Sequence, residues 1–97
     1  MRFYTAADVV GAGQAVALST LFTQTYAKEL VFGITAGSGP ARFGDSNAGA
    51  SRGVPIPASV QPLVLRTTVA DVTDQFSLAL HYVYVPNGTT LSVSIGC

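Results

Sequence analysis

The sequence predicts an all-β fold: a small antiparallel β-sandwich or jelly-roll-like barrel of six to seven strands, closed by a C-terminal hairpin. Three observations predict it. Apolar residues alternate with period two near the C-terminus, in "QFSLALHYVYV" and "TTLSVSIGC". Strand-like runs recur about every ten to fourteen residues, separated by Gly, Pro and Asn. The stretch richest in alanine, "AADVVGAGQAVALSTLF", is interrupted by Gly11 and Gly13, which weaken a helix there. The 97 residues suffice for one domain, residues 1–97.

The elements follow in chain order. "RFYTA" (2–6) reads as an edge strand. "QAVALST" (14–20) alternates weakly after the turn-like "GAG", with at most a short helical turn nearby. "KELVFGIT" (28–35) is a strong strand, rich in residues that suit a pleated surface. "ARFGDS" offers a short strand at 41–43, inside the long connection "GSGPARFGDSNAGASRGVPIPASVQP". "PLVLRTTV" (62–69) is a further strand, and "TVADVTDQ" reads as a loop or one helical turn.

Near the end, Phe76, Leu78, Leu80, Tyr82 and Tyr84 fall on one face of a ten-residue strand. Ser77, Ala79, His81, Val83 and Val85 fall on the other. Both faces are apolar enough for a central strand covered twice. Pro86 stops it, and Asn87-Gly88 accepts the backbone of a tight turn. The returning strand places Leu91, Val93, Ile95 and Cys97 inward.

Composition narrows the function. Charged residues are 10% of the chain, against about 25% in an ordinary soluble domain. Hydrophobic residues are 48%, and the mean hydropathy is +0.43. Ten charges cannot cover such a globule, so apolar surface is left for contact with other chains. The five basic residues, Arg2, Lys28, Arg42, Arg52 and Arg66, are scattered and the net charge is zero. Nucleic-acid binding needs a clustered basic patch, and none is visible. No apolar run approaches the ~20 residues of a membrane helix. "MRFYTAADVV" lacks the apolar core of a signal peptide, so Asn87-Gly88-Thr89 reads as a turn rather than a glycosylation acceptor. The single cysteine, Cys97, is expected as a small buried apolar end.

Catalytic and ligand-binding patterns are thin. Gly44-Asp45-Ser46-Asn47 matches the Gly-Asp-Ser of one hydrolase family. That serine needs a histidine base from an Asp-x-x-His motif, and the residue three before His81 is Leu78. Asp45, Ser46 and Asn47 read instead as short polar side chains holding a turn. "GAGQAV" (11–16) begins like a dinucleotide fingerprint but lacks the third glycine and the following helix. His81 has no second histidine with which to bind a metal, and Asp71 and Asp74 read as strand-ending loop residues. No catalytic, cofactor or metal residues are expected. Arg42, Asp45 and Arg52 bracket the long glycine-rich loop. They form either an internal ion pair or a contact to a neighbouring subunit; with Asn47 they are the expected subunit or capsid contact.

Two stretches, "RFGDSNAGASRGVPIPA" (42–58) and "FSLALHYVYVPNGTTLSV" (76–93), together about a third of the chain, resemble small β-rich virion proteins of tailed bacteriophages. Ala48 and Gly49 depart from the commonest form, where bulkier residues are expected. The resemblance implies a capsid decoration (cement) protein on the outer capsid surface, made in the host cytoplasm without a signal peptide. It implies a homo-oligomer, expected to be a trimer, that bridges major capsid subunits without cofactor or catalysis. The alternative is a tail, fibre or head-spike component that contacts the host, for which aromatic loops are expected. All four tyrosines instead lie in or beside strands. A small serine hydrolase is the remote alternative.

Overall fold

The computed structural model describes residues 3–37, 39–58, 62–66 and 76–97. Among them the only helical element is a 3-10 turn at Leu18–Thr20. The first sheet holds β1 (Phe3–Thr5), β2 (Val9–Val10), β5 (Glu29–Ala36), β8 (Leu63–Arg66) and β11 (Thr90–Gly96). Its order is β1-β11-β5-β8, with β2 also pairing to β11. The second sheet, in the order β3-β10-β6-β7, holds β3 (Gln14–Ala17), β10 (Tyr82–Val85), β6 (Ala41–Gly44) and β7 (Val54–Ile56). A two-stranded ladder joins β4 (Tyr26–Ala27) to β9 (Phe76–Ser77). Every pairing is antiparallel. The fold is all-β and of the sandwich type.

Period-two patterning decides what lies inside. Leu30 and Phe32 of β5 and Leu91, Val93 and Ile95 of β11 point into one core. Ala41, Phe43, Ile56, Val83 and Val85 of the second sheet join it, with Leu18, Ala27 and Leu78 closing its end. The Phe32 and Phe43 rings meet across the two sheets with centroids 5.4 Å apart. Among the described residues no buried side-chain polar atom lacks a hydrogen-bond partner.

The expected C-terminal hairpin does not form. β10 pairs with β3 and β6, while β11 pairs with β1, β2 and β5. The Pro86-Asn87-Gly88 turn therefore carries the chain from one sheet to the other. The N-terminal chain makes the same crossing beside it, between β2 and β3. Gly11 N–H donates to the Thr89 carbonyl at 2.8 Å, and Gly13 N–H to the Val85 carbonyl at 3.1 Å. Each strand of the expected hairpin is thus satisfied by the N-terminal corner instead of by its sequence neighbour.

The ten-residue strand is also interrupted. The chain turns at Leu78–Leu80, where Leu80 N–H donates to the Ser77 carbonyl at 3.1 Å. Leu78 is buried, whereas Leu80 is 69% exposed. Beyond the turn Val83 and Val85 are the buried face, and Tyr82 and Tyr84 are only half-buried. With both faces apolar, alternation alone left the phase open. Cys97 is exposed rather than buried; its Sγ donates to the Tyr26 carbonyl at 3.4 Å.

The other elements differ less. β1 does sit at a sheet edge, pairing Phe3 with Gly96. The long central connection contains a second strand, β7, that pairs with β6. Its Pro55 is tolerated because β7 is an edge strand. The strand expected over 62–69 is present over Leu63–Arg66. Its continuation at 67–69, the "TVADVTDQ" loop, Asp71 and Asp74 lie outside the described residues.

Candidate functional site

The β6–β7 hairpin carries the candidate site. Its loop follows Gly44, and Asp45 holds the first turn. Asp45 Oδ1 accepts the Asn47 N–H at 2.8 Å, and the Asp45 carbonyl accepts the Ala48 N–H at 3.0 Å. This is the local turn that Asp favours. Gly49 and Arg52 then exchange two main-chain hydrogen bonds, 3.1 and 3.2 Å, as an isolated antiparallel bridge. The loop closes at Gly53, whose φ of +111° is a conformation that suits glycine alone. A Cβ at Gly53 would press to 2.8 Å from the Phe43 carbonyl oxygen, so the two hairpin arms meet backbone to backbone.

These turns enclose an open cleft of about 400 Å³. Phe43, Ala48 and Val54 give it an apolar lining, and Asp45, Asn47 and Arg52 a polar rim. Three of the four expected contact residues are thus brought together. Arg42 is not. Pairing opposite Tyr84, it lies on the other face of the sheet, and its Nη1 donates to the Gly53 carbonyl at 3.0 Å. Main-chain hydrogen bonds therefore pin the loop, and the ion pair considered from sequence is not what holds it.

Behind the cleft Phe43 stacks on His81, with centroids 5.4 Å apart and planes at 7°. Phe76 meets the same imidazole edge-on at 5.6 Å. His81 Nδ1 lies 2.6 Å from the Ser77 carbonyl oxygen. The imidazole is thus part of an aromatic cluster, tied across the Leu78–Leu80 turn to the Ser77 carbonyl of β9. Gly-Asp-Ser-Asn is a turn held by the carboxylate and the carbonyl of Asp45. Ser46→Ala is accordingly expected to leave stability within about 0.5 kcal/mol of wild type. Asp45→Ala, which removes the turn's acceptor, should cost about 0.5–1.5 kcal/mol in urea denaturation. Equal effects would contradict this account of the loop.

The other patterns resolve structurally. In "GAGQAV" the three residues 11–13 are the corner between β2 and β3, and Gln14 already opens strand β3. Among the described residues no three His, Cys, Asp or Glu side chains gather as a metal site. Among them, too, no helix is long and apolar enough to cross a membrane.

A second surface is the outer face of the five-stranded sheet. Register places Thr5, Ser94, Val31 and Val64 in one row across it, and Ser92 with Gly33 in another. Phe3, Val10 and Val64 stand 57, 75 and 43% exposed on this face. Among the side chains described there, acids sit only at its ends. Asp8 accepts the Thr35 hydroxyl at 3.5 Å, and Glu29 is buried. Sequence reasoning placed Arg42, Asp45 and Arg52 around the loop but missed Phe43, Ala48 and Val54 as its lining. The available signal was the strand-glycine pattern at both loop ends, "RFG" and "RGV". Compared with protein-family models, curated proteins and solved structures, the chain matches none.

Proposed function

We propose that this protein is a structural component of a bacteriophage particle: a capsid decoration subunit that binds the outer shell as a homo-oligomer and bridges major capsid subunits. One observation carries the reading, the outer face of the five-stranded sheet with its exposed Phe3, Val10 and Val64 and its serines and glycine. Such a face is costly to leave in water and suits contact with another chain.

Its size fits a repeated contact. The strands of this sheet hold 24 residues, each covering about 4.8 by 3.3 Å, or roughly 380 Å² in all. That is about half of what one partner contributes to a standard interface, ~800 Å². A single contact is weak, and several copies fixed on one lattice bind strongly together. The mechanism is burial of apolar surface between neighbours, and no bond is made or broken.

Quantifying the chain in purified particles tests this reading. Copy number in proportion to the major shell protein is the expected result. A handful of copies per particle would move the protein to a tail or fibre, and none would remove it from the particle altogether.

A further inference from the structure

We propose that two copies of this chain pair about a two-fold axis through the β6–β7 loop, each inserting Leu80 into the other's cleft. The proposal rests on the assembly-subunit reading above and names the surface by which copies meet.

Three observations place the contact. First, a knob and a hole lie at the same end of one sheet. Tyr82 pairs with Gly44, so the chain before Tyr82 and the loop after Gly44 leave the sheet together. Leu80, 69% exposed at the turn there, is the knob. The cleft over Phe43, Ala48 and Val54 is the hole, with room for Leu80 and the exposed Ala79 beside it. A knob and a hole at the same end of one sheet can meet reciprocally across a two-fold axis, the self-complementary contact of a symmetric dimer.

Second, the charges on this end match those of a second copy. Arg42 is engaged with Gly53. Asp45 and Arg52, one acid and one base, remain on the cleft rim. In a two-fold pair Asp45 of one copy faces Arg52 of the other, twice. Third, the hole is firm. The Asp45 turn, the Gly49–Arg52 bridge and the Phe43–His81 stack fix its walls before anything enters. Binding then needs little further ordering of the loop. This symmetry closes a dimer, in place of the trimer expected from sequence.

Sedimentation equilibrium on the purified chain and its variants tests the pairing. Wild type is expected to be a dimer. Leu80→Asp on the knob and Val54→Asp in the hole should each weaken it about tenfold or more. Both positions are exposed, so circular dichroism should show the fold intact. Arg52→Asp should also weaken the dimer; Asp45 is left in place because its carboxylate holds the turn that shapes the hole. A monomeric wild type, or a dimer indifferent to Leu80→Asp or to Arg52→Asp, would overturn the pairing. Binding to shells is scored separately. A wild-type monomer that still cosediments with shells overturns the pairing alone. A Leu80-dependent dimer that ignores shells supports the pairing and refutes the shell reading.

Discussion

Phe32→Ala is expected to lower unfolding stability by about 3–5 kcal/mol, the range for removing a buried aromatic ring from a packed core. Phe32 has no solvent exposure, and its ring touches Phe43 of the opposite sheet. It fills the space between the two sheets. Removing it leaves a cavity that neither sheet can close alone, since each is held by its own hydrogen-bonded ladders. A domain of this size has a total stability of only ~5–15 kcal/mol. The variant should therefore unfold at much lower urea, followed by circular dichroism. Phe3→Ala is the matching control. Phe3 is on the outer sheet face and over half exposed, so the change should stay within about 0.5 kcal/mol. Equal losses at the two positions would mean that the sheets are not packed through Phe32.

Gly11→Ala is expected to cost about 2–4 kcal/mol, although it adds only a methyl group. A Cβ at Gly11 would fall on the Pro86 carbonyl and lie 2.8 Å from the Thr89 carbonyl oxygen. These are main-chain atoms of the crossing between β10 and β11, so nothing can swing aside. Separating the corners also breaks the hydrogen bond from Gly11 N–H to the Thr89 carbonyl. Gly33→Ala is the contrasting case. A Cβ there meets nothing within 4 Å, and the backbone conformation accepts alanine. That change should raise stability by about 0.4–1 kcal/mol through the unfolded chain. Thermal unfolding of both variants separates the two expectations. A Gly11→Ala protein as stable as wild type would disprove the close corner.

Much of the architecture is legible in the residues, and the limits have physical causes. β5 and β11 are long, alternating and β-branched, and sequence and structure agree on them within a residue or two. The partner of β11 was not legible. Alternation shows which residues face inward but not which strand lies alongside, and adjacency in sequence favoured a hairpin. The Gly11 corner competes for the same main-chain groups, and nothing local to residues 86–90 records it. Leu78 and Leu80 show the same limit. They match a strand pattern, yet the turn there sends one into the core and the other into water. At the candidate site the charged residues stood out because charges are rare. The apolar lining did not, because Phe43, Ala48 and Val54 look like any other strand or loop residues until the hairpin folds.

β11 follows β1, β2 and β5 in the chain and is the strand on which all three assemble. During translation, then, the N-terminal segments must wait. Until residue 96 leaves the ribosome, the ladders to β11 cannot close, and Leu30 and Phe32 stay uncovered on the nascent polypeptide. Closing this sheet therefore depends on long loop closures and is slow by its topology.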